Sequence, residues 1–135
     1  MNKQENESIP QQYKLYDVEY RFVSIVWERE PLSSGELVRL CQQQLDWKKS
    51  TTYTVLKKLC DRGILKNENA VVSALVKREQ VQRYESSQVV DRAFDGSLPQ
   101  FVAAFMSGRG LSEDEVRQLK SLIDSYEERS RNESD

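Results

Sequence analysis

The sequence predicts a mainly α-helical protein with one small β-hairpin. Three observations carry this expectation. Apolar residues recur at helical spacing in three successive segments between Asp17 and Asp61. Two β-rich runs then flank a patch of turn-forming residues. From Lys77 onward the spacing is helical again.

The first helix starts at Asp17, which is placed to cap it, and continues to about Arg29. Tyr20, Val23, Val26 and Trp27 share one face, and Pro31 ends the segment. Ser33 and Glu36 form a Ser-x-x-Glu capping box for the second helix, the hydroxyl and the carboxylate each taking a free helix-end amide. That helix carries Leu37, Leu40 and Cys41 inward and fades near Gln44. A connector, Leu45 to Lys49, leads to a third helix over about Ser50 to Asp61. Its inner face is Thr52, Val55, Leu56 and Leu59; Gly63 is placed to close it in the left-handed conformation.

Ile64-Leu65-Lys66 and Val71 through Val76 read as two strands joined by the turn Asn67-Glu68-Asn69-Ala70. Three helices followed by a hairpin is the layout of a winged helix-turn-helix domain. From Lys77 one helix runs to Phe94, with Gly96 as its stop. Ser97 caps a short apolar helix through Phe105, with Pro99 in its first turn. Gly108-Arg109-Gly110 is a break. Ser112 and Glu115 form a second capping box, and Val116, Leu119, Ile123 and Tyr126 make one face of the last helix. The expected organisation is a disordered N-terminus over 1–11, a winged helix-turn-helix domain over 12–76, a helical region over 77–130 and a tail over 131–135.

The net charge of the 135 residues is −2, but charge is unevenly distributed. Between Trp47 and Lys66 lie six basic residues, Lys48, Lys49, Lys57, Lys58, Arg62 and Lys66, against the single acid Asp61. From Lys77 onward nine basic residues face twelve acidic ones. A basic middle and an acidic end imply two separate tasks. The third helix turns Ser50, Thr51, Tyr53, Thr54, Lys57 and Lys58 outward, and Lys48 and Lys49 precede it. Hydroxyls bond base edges or phosphates, threonine methyls touch thymine methyls, and lysines neutralise phosphates. The face therefore suits the major groove of double-stranded DNA, and a solvated surface is the bland alternative. The hairpin tip has no arginine, so wing contact with DNA and a mere edge sheet both stay open.

Phe94, Leu98, Phe101, Val102 and Phe105 crowd into helices too short to bury them alone. With Leu119 and Ile123 they are the expected dimerisation surface; folding back on the N-terminal domain is the alternative. Two-fold DNA readers present two recognition helices to two half-sites, so dimerisation and DNA binding support each other.

Other classes find little support. The chain has no histidine, no Gly-rich phosphate loop and no metal-ligand cluster, so neither an enzyme nor a metal site is expected. No cofactor or small-molecule ligand is evident. Cys41 and Cys60 read as buried, reduced thiols, with a redox pair as the alternative. No apolar run nears the roughly 20 residues that span a bilayer, and the first residues lack the apolar core of a signal peptide, so a cytoplasmic location is expected. A protein-docking module and a small regulatory subunit held through the aromatic C-terminal helices remain as rival readings.

Three blocks resemble the bacterial penicillinase-repressor family, which includes β-lactamase, methicillin-resistance and copper-transport repressors. Asp17-Val18-Glu19-Tyr20 through Ile25-Val26-Trp27 is similar to the family's A-E-W-x-V-M-x-I-x-W opening, with Tyr20 for the first Trp. Trp47-Lys48-Lys49-Ser50-Thr51-Thr52-Tyr53-Thr54-Val55-Leu56-Lys57-Lys58-Leu59 is similar to its W-S-P-K-T-V-x-T-L-L-x-R-L recognition segment. Asp95-Gly96-Ser97-Leu98 through Phe105, then Leu111 to Glu115, is similar to its dimerisation region. The resemblance spans Tyr16 to Glu127.

It implies a homodimeric repressor of palindromic operator DNA. Ser50, Thr51, Tyr53 and Thr54 sit where the family reads bases, and Lys58 where its arginine grips phosphate. Lys48 and Lys49 replace the Ser-Pro that usually starts the helix, and Tyr53 replaces a basic residue common there. Val72, Ser73, Ala74 and Leu75 replace an aromatic and basic wing strand. The resemblance also implies release by proteolysis, triggered by a membrane sensor-protease that detects β-lactam. Ala104-Phe105 matches the cleaved position, with Ala104 for the usual Asn. The copper-sensing branch uses a C-terminal cysteine cluster, and this chain has no cysteine after Cys60, so metal sensing is not expected.

Overall fold

A computed structural model describes residues 13–134. The expected disorder of residues 1–11 falls outside them. The chain divides into two compact units between Val89 and Val90.

In the first unit, helix α1 (Asp17–Arg29) begins one residue beyond Tyr16. Asp17 is thus the first helical residue and not the cap. The Tyr16 amide is instead taken by the Glu19 carboxylate at 3.1 Å. The buried stripe is Glu19, Phe22, Val23, Ile25 and Val26. It is rotated from the expected face because Phe22 stacks on Trp47, ring centroids 5.5 Å apart. Tyr20 and Trp27 are left half-buried, edge to face at 5.5 Å.

Helix α2 (Ser34–Leu45) is capped by the Ser33 hydroxyl, which accepts from the Glu36 amide at 3.0 Å. The reciprocal half of the expected box is not made. Arg39 holds the Glu36 carboxylate at 2.6 Å, a stronger charge-assisted bond than a neutral amide would offer. Leu37, Leu40 and Cys41 point inward as expected. Helix α3 (Lys49–Asp61) buries Thr52, Leu56 and Leu59 and half-buries Val55. It ends in a Schellman motif: the Gly63 amide bonds the Cys60 carbonyl, and the Ile64 amide bonds the Leu59 carbonyl, both at 3.0 Å. Gly63 has φ 80°, which a side chain would resist.

The sheet has three strands, not two. Strand β1 (Leu32–Ser33), β2 (Leu65–Glu68) and β3 (Val71–Ala74) lie in the order β1-β3-β2, all antiparallel. Asn67 and Glu68 belong to β2, pairing with Val72 and Val71, so the turn shrinks to Asn69-Ala70. Both turn residues have positive φ, 53° and 62°, the geometry that matches a two-residue loop to the twist of a hairpin. Helix α1 packs on α2 and β3, and α3 packs on α2 and β2. Phe22, Leu37, Leu56, Leu59, Ile64 and Val72 are among the residues closing this core. Helix α4 (Arg78–Phe94) adds Val81 to it.

The second unit contains the end of α4, helix α5 (Leu98–Gly108) and helix α6 (Glu113–Ser134). Asp95 and Gly96, with φ 51° and 81°, stop α4. Ser97 caps α5 by accepting from the Gln100 amide at 3.2 Å. Ser112 and Glu115 form a complete capping box on α6, with both bonds at 3.0–3.1 Å. The helix continues through residues 131–134, where the sequence reading has a tail; the segment holds no Gly or Pro to stop it. None of the residues 90–133 is buried.

Candidate nucleic-acid interface

The core fixes which side of α3 faces outward. Thr52, Leu56 and Leu59 are locked into the first unit, so the opposite side must meet solvent. Lys48, Lys49, Ser50, Thr51, Tyr53, Thr54, Lys57 and Lys58 are all exposed. Lys48 occupies the cap position without a side-chain bond to the helix, so the first amides of α3 carry no side-chain cap.

Three of these residues are held by partners that sequence reasoning missed. Lys58 Nζ lies 2.9 Å from Glu19 Oε2. The other Glu19 oxygen accepts from Arg62 at 3.3 Å, and Arg62 also donates to the Lys14 carbonyl. Glu19 is only 6% exposed, and burial pushes its carboxyl up. The hydrogen bonds from Lys58, the Tyr16 amide and Arg62 outweigh that, holding it below its ordinary value. The available signal was a charged residue in register with the apolar stripe Phe22, Val23 and Val26. Lys57 pairs with Asp61 one turn on, at 3.1 Å, both side chains being largely exposed. The Tyr53 hydroxyl donates to Ser34 Oγ at 3.1 Å.

Beside Tyr53 an open groove runs between α3 and β2, lined by Leu56, Lys57, Cys60 and Asn67. Cys41 is buried as expected, but Cys60 is only half-buried along this groove. Burial pushes both thiols up; the Asp61 charge adds to this at Cys60, and the Thr52 hydroxyl opposes it at Cys41. Neither is poised as a thiolate. On the wing, Lys66 pairs with Glu68 at 3.5 Å, and the turn residues Asn69 and Ala70 bring no charge.

In the second unit, Phe94, Phe101 and Phe105 form a run of ring contacts, centroids 5.6 and 6.3 Å apart. Phe101, Val102 and Phe94 are half-exposed; Leu98, Phe105, Leu119 and Ile123 are exposed. Leu119, Leu122, Ile123 and Tyr126 stand at i, i+3, i+4, i+7 on α6, an apolar stripe left in solvent. Ala104 and Phe105 lie inside α5, and Arg109 stacks on the Phe105 ring at 4.8 Å while bonding Glu115 at 3.0 Å. Among the described residues no group of His, Cys, Asp or Glu could hold a metal ion, and no helix is long and apolar enough to cross a membrane.

A family model described as penicillinase repressor matches residues 15–125. The methicillin resistance regulatory protein MecI of Staphylococcus aureus is 24% identical over 115 residues, covering 82% of this chain and 94% of that protein. The penicillinase repressor of Bacillus licheniformis is 20% identical over 127 residues, covering 91% and 97%. An uncharacterized 16.5 kDa protein of Latilactobacillus sakei is 26% identical over 109 residues, covering 78% and 75%.

Proposed function

The chain belongs to the penicillinase repressor family, and on that premise we propose that it is a transcriptional repressor, not an enzyme, that binds palindromic operator DNA as a homodimer in the cytoplasm. Residues 12–76 bind DNA and the helices of 77–130 dimerise. Lys48, Lys49, Lys57 and Lys58 neutralise phosphates. Ser50, Thr51, Tyr53 and Thr54 read bases. The observation that carries this reading is the two-sidedness of α3. One side is built into the core, and the other presents only hydroxyls, a phenol and lysines along the residues of the family's recognition segment.

Dimerisation is supported by the apolar surface of the second unit, of which nothing is buried up to residue 133. Relief of repression by a membrane sensor-protease that cuts between Ala104 and Phe105 is the third part of the proposal. Its support is the match of this bond to the family's cleaved position, with Phe105 exposed. The bond lies within α5, so cutting requires local opening of that helix. A blot showing the protein intact in cells whose target genes are induced by a β-lactam would exclude it.

The deciding experiment is fluorescence anisotropy on the protein's own promoter fragment against a scrambled fragment, across a salt series. Tight binding to the promoter alone, weakening steeply with salt, is expected. Equal weak binding to both fragments would overturn the repressor reading in favour of a protein-docking module.

A further inference from the structure

Tyr53 is the one aromatic residue on the exposed side of α3, and its polar end is already used. Its hydroxyl donates to Ser34 Oγ at 3.1 Å. Ser34 is a fixed anchor. It is buried at the first position of α2, and its own amide bonds the carbonyl of Ala70 in the hairpin turn at 2.9 Å. The tether therefore ties the recognition helix to the junction of α2 and the sheet. The hydroxyl tip is thus held at buried Ser34, and part of the residue stays accessible beside it. Tyr53 as a whole keeps 37% exposure, one turn after Ser50 and one before Lys57.

A base that offers acceptors, such as guanine through O6 and N7, needs a donor from the protein, and the Tyr53 hydroxyl is already engaged with Ser34. Thymine offers something else in the major groove: the C5 methyl, an apolar group that an aromatic ring can cover. We propose that Tyr53 is a specificity-determining residue that reads a thymine methyl with its ring, and that Ser34 is the positioning residue that aims it. This rests on the repressor reading above. The hydroxyl serves as the tether, which separates Tyr53 from Thr51 and Thr54, whose hydroxyls can bond bases directly. Fixing the ring before binding also lowers the entropy lost when it docks.

The test uses the full-length protein and its promoter fragment, with each thymine replaced in turn by deoxyuridine at symmetric positions of both half-sites. Deoxyuridine keeps the pairing and the O4 acceptor and lacks only the methyl. At one position the substitution should weaken binding by about fourfold per half-site, the factor that corresponds to uncovering one methyl group. With Tyr53→Ala that position should become indifferent to the methyl, while other positions keep their response. Ser34→Ala and Tyr53→Phe should each shrink the thymine-to-deoxyuridine ratio at that position alone, because each cuts the tether and spares the ring. A ratio confined to one position is not something general destabilisation would change. If the promoter is bound but no position shows a methyl effect that depends on Tyr53, the inference falls and the repressor reading stands. A Tyr53→Phe loss as large as that of Tyr53→Ala, with Ser34→Ala without effect, would also overturn it. If the promoter is not bound in preference to a scrambled fragment, both fall together.

Discussion

Glu19 Oε2 lies 2.9 Å from Lys58 Nζ, so the lysine assigned to phosphate is already paired with a buried carboxylate of the first helix. The Lys58 side chain as a whole remains 57% exposed, and an ammonium has three donors, so a second acceptor can be taken. A phosphate that docks there meets a cation whose charge is partly offset. Glu19 steers the side chain more than it blocks it, since Arg62 shares the same carboxylate.

Lys58→Ala should therefore weaken binding to all DNA sequences about equally, by about 1 kcal/mol, and should lower the slope of log affinity against log salt by about one. Thr51→Ala should instead change the preference between operator variants and leave the slope alone. Anisotropy on matched and mismatched fragments at several salt concentrations separates the two. Identical behaviour would mean that α3 does not lie in the groove as proposed.

The same pair makes the first unit sensitive to acid. The folded-state value of the Glu19 carboxyl is lowered, so its contribution is fully present above the ordinary value of 4.5 and is lost as pH falls through the lower folded value. Glu19→Gln should cost about 2 kcal/mol at neutral pH, as expected for hydrogen bonds to charged partners. Unfolding by urea at pH 7 and at acidic pH tests this. The wild type should lose stability on acidification by more than the variant does. Parallel loss in both would show that other carboxylates govern the acid response.

At the hairpin turn the sequence carries a residue that the backbone disfavours. Ala70 holds φ 62°, in the left-handed region that costs a residue with a Cβ roughly 1–2 kcal/mol. Its side chain is exposed, so nothing is lost by removing it. Ala70→Gly should raise stability by about 1 kcal/mol, after the greater chain entropy of glycine is allowed for. The denaturation midpoint should rise with an unchanged slope. A fall would mean that the turn has another geometry.

Local signals were legible and long-range ones were not. Gly63 at the end of α3 and Ser112 with Glu115 at the start of α6 follow from chemistry between residues a few positions apart. So does the exposure of Ser50, Thr51, Thr54 and Lys57, which helical periodicity alone dictates. Strand β1 was missed because two residues, Leu32 and Ser33, make no pattern of their own; pairing with Val72 and Val71 creates them as a strand. The capping box at Glu36 was half right because Arg39 competed for the carboxylate. The side-chain contacts of Glu19, Ser34 and Arg62 escaped notice because those partners lie 19 to 48 residues away. What the sequence could not carry was which exposed polar groups are already engaged.

The second unit gives the sharpest contrast between a monomer and a dimer. Ile123 is 62% exposed, and Leu119 and Tyr126 beside it on α6 are exposed as well. In an isolated chain, Ile123→Glu on a solvent face should change stability by at most about 0.5 kcal/mol. If a second copy covers this stripe, the same change buries an unpaired charge and should shift the protein to monomer. Light scattering on the eluting protein should then show half the wild-type mass. Operator affinity should fall steeply while single half-site affinity holds, because two linked recognition helices bind far more tightly than one. A variant that keeps the wild-type mass would place the contact elsewhere, and the aromatic run of Phe94, Phe101 and Phe105 would be the next surface to alter.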